Sequence, residues 1–212
     1  MSECSPVRVV DHPVVQHHLA RLRDVSTPPS EFRLLVHRIA TLLAGAATED
    51  LQLRDTRITT PLTETAAKEL SQRIGLVPIL RAGLGLVDPF LDLLPSAEVW
   101  HLGLFRDEET AEPVEYYRKL PKTDPVDVGL VVDPMLATGG SAMLALGVLR
   151  QWGVPRTKLV ALIAAPEGIE AVQSQFPETQ IVVAAVDECL NEQSFIVPGL
   201  GDAGDRQFNT LR

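Results

Sequence analysis

Cysteine is scarce. The chain holds two, Cys4 and Cys189, with no C-x-x-C pair and no metal-type spacing. That rules out a disulfide framework or a zinc finger as the basis of the fold, and a reduced compartment is expected. No uncharged apolar run is long enough to span a bilayer. The opening MSECSPVRVVDHPVV lacks the order of basic residues then an apolar core that marks a secretory signal. A cytoplasmic protein with no membrane partner is the expectation. Positive charge is also short, with 19 Lys and Arg against 28 Asp and Glu, a formal charge of −9. Nonspecific nucleic-acid binding needs a basic face, so no nucleic-acid partner is expected. A small anion is a different matter, since a few arginines and helix termini hold one. Repeats, linkers and low-complexity segments are missing too. At 212 residues the chain is expected to form one domain, with an N-terminal arm over about 1–10.

What is present is an α/β pattern. An edge strand is expected near 7–10 and a helix over 11–23, where Val14, Val15, Leu19 and Leu22 recur at helical spacing. His17 and His18 are adjacent there and point to different helix faces, so they do not share one metal ion. Ser30 reads as the cap of a helix over 31–46 with Phe32, Leu35, Val36, Ile39 and Leu43 on one stripe. Residues 48–60 read as irregular with a short strand near 56–59, and 65–71 as a short helix. Strands are expected at 75–80, 99–105, 128–133, 158–164 and 181–186, with helices at 83–94, 141–152 and 167–175. Such alternation predicts a mainly parallel sheet with helices on both faces. Ligands then bind beyond the carboxyl ends of the strands.

The stretch DVGLVVDPMLATGGS at 127–141 combines these signals. A buried strand ends at Pro134, which has no ladder donor. Thr138-Gly139-Gly140-Ser141 opens a helix whose first N–H groups and positive dipole end suit a phosphate monoester. Asp133 is placed to accept hydrogen bonds from sugar hydroxyls. By itself this stretch is equally a plain strand–loop–helix turn with a capping Thr or Ser.

Three further loops reach for the same edge. Arg81-Ala82-Gly83-Leu84-Gly85 offers close backbone approach and a forked cation for a second anion site. It lacks the third glycine of a dinucleotide fingerprint. The charged connection 106–125 shows no clear periodicity and is long enough to be a lid, with Arg106 the first candidate and Arg118 and Lys119 further ones. The tail at 194–206 carries three Gly and one Pro within 198–204, which argues against regular structure. Docked through Phe195, Ile196 and Val197, its backbone can read the edge of a planar heterocycle with Asp202 close by.

VPILRAGLG at 77–85, LFRDEETAEPVEYYRKLP at 104–121, VVDPMLATGGSA at 131–142, APEGI at 165–169 and FIVPGLGDAGDRQF at 195–208 together resemble the uracil phosphoribosyltransferase family, in the family's order. The likeness runs from about His12 to Phe208. It implies a type I phosphoribosyltransferase fold, a central parallel sheet with a small hood that includes about 188–212. It implies conversion of uracil and 5-phosphoribosyl 1-diphosphate to UMP and diphosphate. Carried over residue by residue, Asp133, Pro134, Met135, Leu136, Ala137, Thr138, Gly139, Gly140 and Ser141 bind the phosphoribosyl donor. Arg81 and Arg106 meet its diphosphate. Ile196, Gly201, Asp202 and Ala203 read uracil, Asp202 also touching the donor. Asp133, Arg106 and Asp202 are the catalytic candidates. Mg²⁺ is expected to ride mainly on the donor's diphosphate and ribose, with no dedicated protein ligands.

Two departures qualify the likeness. Where many phosphoribosyltransferases carry two adjacent acids, this chain has Asp133-Pro134, as the uracil branch does. Residues 45–73 match poorly, and a hairpin there is expected to be reduced. An RNA-binding pyrimidine regulator on the same fold, or a phosphoribosyltransferase for another base, are the alternatives. A homo-oligomer is expected because soluble enzymes commonly are.

Overall fold

A computed structural model describes residues 7–106, 113–118, 120–121 and 123–210, with backbone alone at 104–106 and 113–118. In chain order the elements are β1 (Val7–Val9), α1 (Pro13–Arg23), α2 (Pro29–Thr48), β2 (Leu53–Thr59), β3 (Glu64–Leu70) and β4 (Ile74–Leu80). A 3₁₀ turn (Ala82–Leu86) leads into α3 (Val87–Leu93), then β5 (Glu98–Val99), β6 (Leu102–Arg106), β7 (Pro113–Arg118), β8 (Val128–Val132) and β9 (Met135–Leu136). The chain closes with α4 (Gly140–Trp152), β10 (Arg156–Ala164), α5 (Pro166–Gln175), β11 (Gln180–Val186), β12 (Cys189–Leu190), β13 (Ile196–Val197) and α6 (Ala203–Phe208).

The main sheet runs β1-β11-β10-β8-β4-β6-β7, with β5 on β4 and β9 on β10. Every pairing in it is parallel except β6 with β7. The central strands β4 and β8 are apolar throughout because both faces of the sheet are covered there. All five residues of β8 are buried. The alternation of side chains across the sheet divides them between two cores. Leu130, Val132, Val160 and Leu162 pack with Phe32, Val36 and Ile39 of α2. Val131, Leu159 and Ala161 pack with Ala145, Leu146 and Leu149 of α4.

The chain leaves β4 toward β6 on one side, then returns to place β8 on the other side of β4. This reversal of direction opens a crevice between the loops that follow the two strands, at their carboxyl ends.

Several expectations need correction. Residues 65–71 are not a helix. They belong to β3, paired antiparallel with β2 from Leu53↔Leu70 to Thr59↔Glu64. The run Ala-Ala-Lys-Glu-Leu has helical propensity, but cross-strand pairing overrides so weak a preference. The hairpin has seven residues in each strand. The connection 106–125 contains β7, paired antiparallel with β6, where no strand was expected. Helix α2 starts two residues earlier than expected, with Pro28 as its cap and Pro29 at the first position, a favoured place for proline. The tail is only partly irregular, since residues 203–208 form α6, capped by the Asp202 side chain accepting from the Asp205 N–H. Among the described residues no helix is long and apolar enough to cross a membrane.

Candidate active site

The crevice is a cavity of about 430 Å³. Three chain segments meet in it, and each arrives there for a local reason.

The first follows β8. The Asp133 N–H donates to Val160 O at 3.1 Å, which holds the strand's end against β10. Pro134 is buried, and its carbonyl accepts from the N–H groups of Leu162 and Ile163 at 3.0 and 3.1 Å. The strand line thus resumes as β9 after the proline. Gly139 then takes a left-handed φ of +83° and starts α4 with no side-chain cap, so the alternative of a plain Ser or Thr cap is not what is seen. With no side chain covering it, the first turn of α4 lines the cavity through Gly140, Ser141 and Ala142. Gly168 at the start of α5 backs this loop closely. A Cβ there would lie 2.2 Å from Ala137 O and 2.9 Å from Leu136 O.

The second segment follows β4, where a cis peptide joins Leu80 to Arg81. The backbone packs hard against the sheet, since a Cβ on Gly83 would lie 2.5 Å from Val132 O. Ala82 O accepts from the Gln207 side chain at 3.0 Å, tying this loop to α6. The Arg81 side chain itself is 58% exposed.

The third segment is the hood tail. β12 and β13 pair antiparallel, Cys189↔Val197 and Leu190↔Ile196. Glu167 of α5 accepts from the Leu190 N–H at 2.9 Å, and that bond holds its carboxyl below the usual range. Ile196 is buried, and the left-handed Gly199 and Gly201 carry the chain round to Asp202.

Arg81, Asp133, Met135, Leu136, Ala137, Gly139, Gly140, Ser141, Ile196 and Asp202 all line the one cavity. Pro134, Thr138, Gly201 and Ala203 belong to the same loops but not to its lining; Ala203 is fully buried in the core. The side chains of Arg106 and Arg118, Lys119, and residues 107–112 of the expected lid over 106–125 lie outside the described residues. The cavity also recruits Gln193, Ser194 and Phe195, of which the sequence reading used only Phe195, as a docking residue. Their signal was the polar run before Phe195. Asn191 Oδ1 accepts from the Gln193 and Phe195 N–H groups at 3.0 and 2.9 Å, an Asx-type turn that presents them. Phe195 is half exposed, its ring left at the cavity mouth rather than docked.

A helix terminus beside an acid, an arginine loop across the crevice, and a backbone-rich tail are fitted to a phosphorylated sugar joined to a further anion and a flat base. Solved structures share this chain path. A purine phosphoribosyltransferase from Pyrococcus horikoshii Ot3 aligns over 73% of this chain and 83% of its own, with TM-score 0.50 and 13% identity. The AQ2163 protein of Aquifex aeolicus aligns over 95% and 97%, with TM-score 0.91 and 35% identity. The fold is that of the type I phosphoribosyltransferases. Within the class, the family model for uracil phosphoribosyltransferase matches residues 9–210. Proteins named uracil phosphoribosyltransferase from Roseiflexus sp. (strain RS-1) and Anoxybacillus flavithermus (strain DSM 21510 / WK1) are 54% and 52% identical, over 96% and 97% of this chain and 98% and 99% of theirs. The chain belongs to the uracil phosphoribosyltransferase family.

Proposed function

We propose that the chain transfers the phosphoribosyl group of 5-phosphoribosyl 1-diphosphate to uracil, giving UMP and diphosphate, in the cavity between β4, β8 and the hood. The observation that carries this reading is the convergence of Arg81, the 133–141 loop and the 196–202 segment on one cavity. The first turn of α4 receives the 5-phosphate. Asp133, at the end of β8, accepts from the ribose hydroxyls. Arg81 meets the diphosphate, and Arg106 approaches it from the end of β6. Backbone groups around Ile196, Gly201 and Ala203 read the uracil edge.

Bond breaking at the anomeric carbon leaves positive charge on the ribose and negative charge on diphosphate. The protein's part is to hold the sugar at both ends and to place cations and dipoles where that charge grows. No group of three or more His, Cys, Asp or Glu able to cage a metal exists among the described residues. Asp133 and Asp202 are the described acids lining the cavity. Such a sparse oxygen set suits a magnesium ion that keeps most of its ligands from substrate and water. When bound, magnesium adds charge neutralisation at the leaving group. A cytoplasmic homo-oligomer using these substrates completes the proposal.

The test is UMP formation from uracil, donor and Mg²⁺. Asp133→Asn should lower kcat/KM by about 10- to 100-fold, the worth of a charge-assisted hydrogen bond. Unchanged activity and donor affinity in that variant would remove Asp133 from the ribose site. Adenine or guanine accepted as readily as uracil would overturn the base assignment.

A further inference from the structure

Arg81 is not directed at open space. Its Nη2 donates to Asp205 Oδ1 at 3.2 Å, with the two side chains 58% and 35% exposed. Asp205 is the better fixed of the two. Its Oδ1 also accepts from Thr210 Oγ1 at 2.6 Å, and its N–H donates to Asp202 Oδ1 at 2.8 Å. The Arg81 guanidinium sits at the end of a long solvated stem, 6.0 Å from the Phe208 ring centroid. Gly204 lies beside the pair, where a Cβ would come 3.2 Å from Asp202 Oδ1 and 3.8 Å from Arg81 Nη2. Arg81 and Asp202 line the cavity, whereas Asp205 does not.

We propose that Asp205 is a positioning residue that competes with diphosphate for the Arg81 guanidinium and thereby sets how tightly the donor and the released diphosphate are held. The inference rests on the reading of Arg81 as a diphosphate ligand. A polyanion entering the cavity takes the guanidinium from Asp205. When the product leaves, the carboxylate, still held by Thr210, takes it back. An exposed ion pair is worth little, so the exchange runs easily in both directions. A buried pair would instead hold Arg81 away from its ligand. No covalent step is involved.

The experiment is calorimetric titration of the full-length chain with magnesium pyrophosphate, alongside steady-state kinetics on the donor. Asp205→Asn keeps the shape and the Thr210 contact but loses the charge. It should tighten pyrophosphate binding by about two- to fivefold, and lower the donor KM proportionally more than it changes kcat. A variant that is merely damaged does not bind tighter. Thr210→Val, which frees the carboxylate to wander, should act in the same direction and more weakly; it carries the test if the Asn variant fails to fold. Arg81→Ala should weaken pyrophosphate binding, and R81A/D205N should match R81A alone. Equal or weaker binding in D205N overturns the proposal, as does a gain that persists in the double variant, which is then a long-range charge effect. If the wild-type chain does not bind pyrophosphate, or R81A leaves binding unchanged, the reading of Arg81 fails. If both hold and D205N binds no tighter, only the role of Asp205 fails.

Discussion

Around the glycine-rich tail proposed to read the base, charged groups are held in buried contacts. The Asp187 side chain is 3% exposed and takes both Arg23 Nη groups, at 2.5 and 2.7 Å, and the Gly199 N–H at 2.9 Å. Arg23 also donates to Gly199 O at 2.7 Å. Arg206 is buried, donates to Leu200 O at 2.8 Å and Asp24 O at 2.6 Å, and lies over the Phe32 ring at 4.4 Å. Burial pulls its guanidinium down from the usual range. At the proposed diphosphate end Arg81, the one described cation lining the cavity, is held by one exposed ion pair. The difference suits the two proposed tasks. A glycine-rich segment has no ladder to stiffen it, so buried charges clamp it in one shape, as a segment proposed to read a base needs. An arginine proposed to meet a leaving group has to change partners, and a weak, solvated contact allows that.

The comparison breaks most visibly at Asp187. Asp187→Ala strands Arg23 and leaves the Gly199 N–H unpaired, and should cost about 3 kcal/mol, as removal of one member of a buried pair does. Urea unfolding reads the loss, and uracil affinity should fall more than donor affinity. A stability change under about 0.5 kcal/mol, the size of an ordinary surface substitution, would mean the tail is held without this clamp.

A smaller effect sharpens the other side. Gly83→Ala drives a Cβ to 2.5 Å from Val132 O. It should cost about 1–3 kcal/mol of overpacking strain and raise the donor KM. The mobile part of the diphosphate end is then the arginine side chain, not its backbone. A fully active, fully stable Gly83→Ala would show the loop itself to be loose.

The smallest effect is acid-dependent. The Glu167 carboxyl is lowered by the Leu190 N–H it accepts. Its folded pKa lies below the unfolded one, so its contribution is present above the unfolded value of about 4.3 and is lost as pH falls through the folded value. The protection of the Leu190 N–H, taken relative to its intrinsic exchange rate at each pH, should drop across that window in the wild type. Glu167→Gln should show no such pH step, and an identical step in that variant would assign the effect to another group.

Much of this architecture was legible. The apolar runs at 75–80, 128–132, 158–164 and 181–186 can only be buried strands, and the stripe of Phe32, Val36 and Ile39 can only be a core-facing helix. The turn into α4 was readable because Gly139 and Gly140 sit where a strand must turn into a helix. The hairpin β2–β3 was not, because its strands are exposed on both faces and carry no burial alternation. Nor was α6, where Gly204 hides a six-residue helix whose only sequence signal is Asp202 three positions before Asp205.

The alternation of the central strands and helices, the two faces of the sheet and the glycine turn into α4 are written in local pattern, because burial and backbone freedom are properties of short stretches. That Arg81 faces Asp205, 124 positions away, and that Asp187 holds Gly199 through Arg23, 164 positions before it, belongs to the tertiary structure alone. Charge partners are chosen by where the sheet brings chain segments together, and no spacing in the sequence records that choice.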